Sequence, residues 1–261
     1  MRHITVVDGH PDPSEARLIH ALSDRYVGAA RAAGSEVRRI NLSHTHVPML
    51  RIAEDFYGAS APESLRQAQE DIAWADHLVF FFPLWHGTMP ALFKAFIEQT
   101  FRPGFAMDYG GKNRFPKQLF KGKSARVIVT MGMPAFFYRT AFGGFGVKGF
   151  ERSTLALCGI GPISETFLGG AGGESKKRGY AWLDLMERLA EQDSAPEARR
   201  RRQFVRAAAR AALLLAGSYA AYLLASSTSK AWMRTPAEAS GNLTVAGSVT
   251  AEKEALTPEH A

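Results

Sequence analysis

The sequence predicts an α/β fold, a doubly wound five-stranded parallel sheet followed by a C-terminal helical extension. Three observations carry that expectation. Residues 78–90, Leu-Val-Phe-Phe-Phe-Pro-Leu-Trp-His-Gly-Thr-Met-Pro, form an unbroken apolar run that stops at Pro83, passes through a compact loop and re-enters a helical pattern at Pro90. A run of that length, bounded by turn residues and rich in aromatics, reads as a strand buried on both faces. Strand-like and helix-like segments alternate through residues 1–192, which implies parallel pairing through right-handed crossovers. Finally, 261 residues with 46% hydrophobic content supply a sizeable core and material beyond one domain.

Taken in order, the first strand is expected at 4–8 and a helix at 15–33, then a strand at 36–42 and a helix at 63–75. The aromatic strand at 77–83 precedes a helix at 90–101, a strand at 125–131, a helix at 140–158, a strand at 163–168 and a helix at 175–191. Two connections are longer than a sheet requires. Residues 41–62 hold His44, His46 and Pro48; residues 103–123 are rich in Gly and Lys and include Phe105, Tyr109, Phe115 and Phe120. Connections well beyond the usual ~4–6 residues are often functional lips, so either could roof a cleft or add to a dimer surface.

Past Gln192 the composition changes. Residues 1–192 form the predicted sheet domain, 193–234 a basic, semi-apolar helix, and 235–261 an Ala/Ser/Thr/Glu-rich tail read as disordered. The formal charge of +7 is unevenly spread. Residues 194–234 carry +7 and residues 235–261 carry −3, leaving +3 for residues 1–193. The basicity belongs mainly to the appendage, so it gives no support to nucleic-acid binding by the folded body. Residues 211–229 are uncharged, close to the ~20 apolar residues that cross a bilayer, but Gly217, Ser218 and 226–229 dilute them. Three readings stay open for 199–233: a membrane role, either spanning the bilayer or lying on an anionic surface or membrane protein with the arginines at the headgroups; docking of an amphipathic helix on a partner protomer; or a solvated extension. Cys158 is the only cysteine, and the N-terminus lacks a secretory apolar stretch, so a cytoplasmic location is expected, at the inner face of the membrane if the tail binds there.

Three strand ends carry chemistry. The first runs Asp8-Gly-His-Pro-Asp-Pro-Ser-Glu-Ala-Arg17. It is not GxGxxG, but it makes an anion site: Gly9 permits a tight turn, Ser14 is placed to cap the helix, and His10 and Arg17 add donors. An ordinary capped turn is the alternative. The third strand ends in Pro83, Leu84, Trp85, His86 and Gly87, where a flat ring could lie, unless Trp85 merely caps the sheet. The fourth ends in Thr130, Met131 and Gly132, with the phenol of Tyr138 following. No paired-carboxylate, Ser–His–Asp or metal-ligand spacing emerges, so no metal is expected, and Cys158 reads as a core thiol. In a sheet of order 2-1-3-4-5 these three ends are neighbours at the switch point, where a doubly wound sheet binds its ligand. A phosphate, a planar ring and its polar edge are the three parts of a flavin.

Gly9-His-Pro-Asp-Pro-Ser14, Phe82-Pro-Leu-Trp-His-Gly87 with Met89-Pro-Ala-Leu-Phe-Lys94, Arg102-Pro-Gly-Phe-Ala106 and Cys158-Gly-Ile-Gly161 together resemble the NAD(P)H:quinone oxidoreductase family of the flavodoxin-like fold. That family includes the mammalian DT-diaphorase type and the ancillary oxidoreductases of bacterial potassium efflux systems. The similarity covers residues 2–191. It implies a non-covalent flavin, FMN or FAD since members carry either, with NAD(P)H as co-substrate and a small quinone-like acceptor; the compact first loop favours FMN. His10, Ser14 and Arg17 would lie near the phosphate, residues 83–87 along the ring and ribityl chain, and Thr130, Met131 and Gly132 at the pyrimidine edge. Family members are usually homodimers, which implies that Phe105, Tyr109 and Phe137 wall the acceptor pocket, partly across the interface. Tyr138 occupies the first place of a Tyr–His proton relay, but the second falls in Phe142-Gly-Gly-Phe145, where no His exists. Arg139, Lys148 and Arg152 are each able to meet a 2′-phosphate. A regulatory or adaptor protein bound to a membrane partner through its tail is the rival reading; a one-electron carrier fits poorly, because the body lacks an acidic docking face.

Overall fold

A computed structural model of the chain describes residues 1–58, 60–109, 116–172 and 176–195. The basic segment at 199–233 and the tail at 235–261 lie outside the described residues. Fourteen named elements follow in chain order: β1 (His3–Asp8), α1 (Leu18–Ala32), β2 (Glu36–Asn41), α2 (Ala53–Gly58), α3 (Glu63–Trp74), β3 (His77–Pro83), α4 (Ala91–Thr100), β4 (Met107–Asp108), β5 (Lys117–Gln118), β6 (Ser124–Met131), α5 (Ala135–Thr140), α6 (Phe145–Phe150), β7 (Ile163–Gly169) and α7 (Lys176–Ser194).

Five strands form one parallel sheet in the order β2-β1-β3-β6-β7, as expected. All seven residues of β3 are buried, because helices cover both faces. Leu78, Phe80 and Phe82 point into a core shared with α3, α4 and α6, while Val79 and Phe81 point to the opposite core beside α1 and α7. The alternation follows from the two-residue period of a strand. Phe93 of α4 sits at the centre of the first core, with its ring centroid 5.0 Å from Phe82, 5.8 Å from Phe150 and 6.1 Å from Phe80.

Three local expectations are corrected. Helix α1 begins at Leu18, with Arg17 at the cap position and no side-chain cap, so Ser14 does not cap it. Pro11 and Pro13 hold their preceding residues extended, and the Asp12 carboxylate takes the Ser14 N–H at 2.8 Å, an Asx-type turn that delays the helix. The helix expected at 140–158 is divided. Gly143 and Gly144 adopt φ of 61° and 63°, a left-handed backbone that ends α5 and starts α6, and α6 continues into a π-helical turn, Glu151–Leu155. The long connection 41–62 is itself structured, holding a 3₁₀ turn (Leu42–His44) and α2. It packs on the segment after α4, where Arg102 donates to the carbonyls of Asp55 at 2.6 Å and Ser60 at 3.0 Å.

Helix α7 runs past 192 to Ser194, and Asp193 is buried beneath the starts of β1, β3 and β6. Its carboxylate receives Arg126 at 2.5 and 2.9 Å and the Tyr26 hydroxyl at 2.8 Å, with His77 Nε2 at 3.3 Å, and its backbone carbonyl receives Arg2. The folded domain therefore includes Asp193.

Candidate active site at the carboxyl edge of the sheet

The loops after β1, β3 and β6 leave the same edge of the sheet, as register dictates: Asp8 pairs with Phe81 and Pro83 pairs with Thr130. Beyond the strands they remain in contact. The Gly9 N–H donates to the Phe81 carbonyl at 2.7 Å, and the Leu84 N–H donates to the Thr130 carbonyl at 2.8 Å. The His10 ring meets Trp85 edge-on with centroids 6.0 Å apart. Three segments separated by about seventy and forty-five residues in sequence thus line one mouth.

The first loop is held by its own side chains. Asp8 is fully buried and accepts from Ser23 at 2.9 Å, from Arg39 at 2.8 Å and from the His10 N–H at 3.4 Å, while His20 Nδ1 lies 2.7 Å away. Asp12 takes Arg17 Nε at 2.7 Å, so Arg17 is engaged in an ion pair within the loop rather than extended as a free anion donor. His10 Nδ1 accepts the Asp12 N–H at 3.1 Å. Burial first, and then the nearby His20, lower the His10 pKa, which keeps its ring neutral and able to donate from Nε2. Gly9 is required here for space: a Cβ would lie 2.7 Å from the Phe93 ring and 2.8 Å from the Phe81 carbonyl.

After β3 the chain reverses at 85–88, where Trp85 and Thr88 exchange backbone hydrogen bonds of 2.8 and 3.0 Å. His86 and Gly87 have φ of 48° and 78°, positive at both central positions as a type I′ turn demands. A non-glycine residue held there costs about 1–3 kcal/mol, a cost often found at ligand sites. The turn raises Trp85 to 46% exposure at the mouth. Tyr138 lies behind it, 1% exposed, donating its hydroxyl to the Gly87 carbonyl at 3.0 Å and accepting the Val147 N–H at 3.3 Å. Its phenol therefore braces the turn against α6.

Of the residues expected after β6, the side chains of Thr130 and Met131 are buried and their carbonyls accept the Leu84 and Ala171 N–H groups, which leaves Gly132 exposed. Open space lies above both Gly87 and Gly132: a Cβ at either would meet no atom within 4 Å. A flat ring can therefore approach both backbones, and the donor set of the three loops fits a flavin in kind. Pro83 is buried, and Leu84 is half-buried at the turn's base.

Beside the turn lies a cavity of about 800 Å³ lined by Trp85, His86, Met89, Lys94, Phe145 and Phe150 among others. Phe105, Tyr109 and Phe137 do not line it. Phe105 packs edge-on against Phe120 at 5.1 Å, Tyr109 against Tyr57 at 6.0 Å and Phe137 against Phe142 at 5.6 Å. Phe145 and Phe150 escaped sequence reasoning, although Gly146 between them marks a close backbone approach. A Cβ there would fall 2.1 Å from the Gly87 carbonyl.

The π-helical turn opens on Glu151, whose Oε1 is buried without a hydrogen-bond partner. Burial, and then the charge of Glu165, push its carboxyl up to about 7. A raised carboxyl pKa means that ionisation disfavours the fold, so this residue's contribution falls as pH rises from the ordinary carboxylate range through about 7. Glu151→Gln is expected to raise Tm at pH 8 and leave it nearly unchanged at pH 5, measured by calorimetry. Cys158 is fully buried, and burial pushes its thiol up to about 12, a core thiol as expected.

Comparison with known proteins places this arrangement. The human ribosyldihydronicotinamide dehydrogenase [quinone] is 25% identical over 151 residues, 55% of this chain and 64% of that protein, so the match spans less than two thirds of the relative's length. Among solved structures, the NAD(P)H:quinone oxidoreductase from Methanothermobacter marburgensis superposes with a TM-score of 0.63 at 18% identity, covering 75% of this chain and 98% of that one. An FMN-dependent NADH-azoreductase from Bacillus anthracis, in complex with FMN, gives 0.57 at 15% identity over 75% of this chain and all of the other. These likenesses establish the shared fold, and the relatives' names are of the kind that the Pro-Leu-Trp and Pro-Gly-Phe-Ala segments suggested. Residues 2–189 match the family described as flavodoxin-like fold, more than half of the sequence, and the chain belongs to that family.

Proposed function

We propose that the domain is a flavin-dependent NAD(P)H oxidoreductase with FMN as its cofactor, passing two electrons by a ping-pong cycle from reduced nicotinamide to a quinone or similar small acceptor. One observation carries the reading: the His10, Trp85 and Gly132 loops meet at one sheet edge, with rings and open backbone where a flavin would lie. The bound flavin supplies hydride chemistry that no side chain here can perform. The chain's part is binding and orientation. His10 Nε2 and the first loop would hold the phosphate, Trp85, His86 and Gly87 the ring, and the Met131–Gly132 backbone its polar edge. The compact first loop favours FMN over FAD, and the FMN-dependent azoreductase neighbour supports the same choice. The adjoining cavity, with buried Phe150 in its wall, would admit nicotinamide and acceptor in turn. Tyr138, with its hydroxyl engaged by backbone, serves as a brace rather than a proton donor.

The test is an absorbance spectrum of purified protein reconstituted with FMN, taken before and after anaerobic addition of NADH or NADPH. The flavin band is expected to bleach and to return when a quinone is added; absence of FMN binding, or a band unmoved by either nucleotide, contradicts the reading. Trp85→Ala is expected to weaken FMN binding by about 1 kcal/mol or more if the ring packs on the indole.

The proposal extends to a homodimer. Phe136, Phe137, Phe142 and Phe145 are 50–76% exposed within ten residues beside the cavity, an apolar surface of the kind that a partner covers, and a second copy would bring aromatic walls to the acceptor pocket. Light scattering is expected to give twice the chain mass, and Phe145→Lys to shift the protein towards monomer. Among the described residues no helix is long and apolar enough to cross a membrane.

A further inference from the structure

We infer that His20 is a positioning residue whose imidazolium sets the shape and charge of the first loop, so that the loop's hold on a phosphate weakens when that ring is replaced or loses its proton. This rests on the reading of residues 8–17 as the phosphate site. His20 lies in the first turn of α1 and is 7% exposed. Nδ1 stands 2.7 Å from the Asp8 carboxylate and Nε2 stands 2.8 Å from the Asp12 carbonyl. A carbonyl has no proton to give, and the Asp8 carboxyl group already accepts from Arg39 and Ser23. Both ring nitrogens must therefore donate, and only the imidazolium does so.

His10, whose ring centroid is 5.5 Å from that of His20, is in the opposite state, because its Nδ1 accepts the Asp12 N–H. Two histidines with divergent environments thus grip Asp12 from its amide and its carbonyl. Its carboxylate is engaged as well, by the Ser14 N–H and Arg17. A neutral His20 donates from one nitrogen only, so either Asp8 or the Asp12 carbonyl would lose its bond and the loop its shape.

Charge gives the second effect. The groups facing His20 are Asp8 from β1, Arg39 from β2 with Asp24 of α1 on its far side, and His10, Asp12 and Arg17 from the loop. Three carboxylates stand against two guanidinium groups, and the His20 charge closes the difference. Losing that proton leaves a net negative cluster beside a dianion. Burial works against the His20 charge, but its hydrogen bonds to Asp8 and Asp12, together with the Asp8 charge, raise its pKa. A raised histidine pKa gives a contribution complete below the unfolded value and lost as pH rises through the folded one.

The experiment compares FMN and riboflavin, which lacks the phosphate, by fluorescence titration of flavin-free protein from pH 7 to 10, where the phosphate charge is constant. Wild-type protein is expected to bind FMN roughly tenfold more weakly at the alkaline end, with no corresponding step for riboflavin. His20→Gln should show weak FMN binding across the range without the step. Imidazole ¹⁵N NMR of flavin-free wild-type protein, with His20→Gln to assign the signal, should show both His20 nitrogens protonated at pH 7. A neutral His20 in that spectrum, or FMN affinity unmoved by pH and by His20→Gln, overturns the inference alone. Should wild-type protein show the imidazolium yet bind no FMN at any pH, both the flavin reading and the role assigned to His20 fail.

Discussion

Replacing Asp193 with alanine is expected to lower the unfolding free energy by about 3–5 kcal/mol, the range found when one partner of a buried ion pair is removed. The carboxylate is 6% exposed and serves Arg126, Tyr26 and His77 at once. Alanine would leave the Arg126 guanidinium buried among strand starts with no anion. Burial disfavours the Asp193 charge, but His77 and Arg126 outweigh it and hold the carboxyl well below the usual carboxylate range. A depressed carboxylate contributes fully above its unfolded pKa of about 3.9, and that contribution is lost as pH falls through the folded value. Urea unfolding should show wild type losing stability steeply below about pH 4, while Asp193→Asn, already weaker at neutral pH, shows a shallower acid limb. Equal stability of wild type and Asp193→Ala at pH 7 would contradict the assignment. Truncations meant to remove the tail must accordingly retain Ser194, since ending at Gln192 deletes this anchor.

Phe93→Ala is expected to cost about 3–5 kcal/mol, as for other fully buried phenylalanines. The effect should reach the site. The Phe93 ring packs under Gly9, where a Cβ would lie 2.7 Å from it, and against Phe80, Phe82 and Phe150. Its loss would open a void beneath the first loop and beside the cavity wall at once. Phe93→Leu, which keeps most of the volume, should cost less in Tm and largely preserve FMN binding. A fall in FMN affinity for Phe93→Ala alone, measured where that variant remains folded, separates loss of support from loss of fold.

The sheet was legible because its signals are local. The aromatic run of β3 announces burial on both faces, and its length leaves no room for a helix. The division between α5 and α6 was not, since a Gly-Gly pair within an apolar stretch reads as a weak helix until its φ values are known. The Ser14 cap is misplaced for a similar reason: a serine before a helical pattern is a strong signal, but the Asp12 carboxylate two residues earlier takes the N–H of Ser14 itself, and the helix starts only at Leu18. The strand ends gave the candidate site, with Trp85 and Gly132 at its mouth. What escaped was everything joined through topology. Arg39 lies far from Asp8 and His20 in sequence and meets them only because β2 pairs with β1. Asp193 reads as the start of the basic appendage, and nothing in the local pattern reveals that its partners sit on β3, β6 and α1.

Crystallisation with FMN tests the central claim most directly. The phosphate should lie within hydrogen-bonding distance of the loop at 9–14, the ring against residues 84–87 and its pyrimidine edge at the backbone of 131–132. A flavin bound elsewhere on the protein, or one that touches only one of these three turns, would contradict the account.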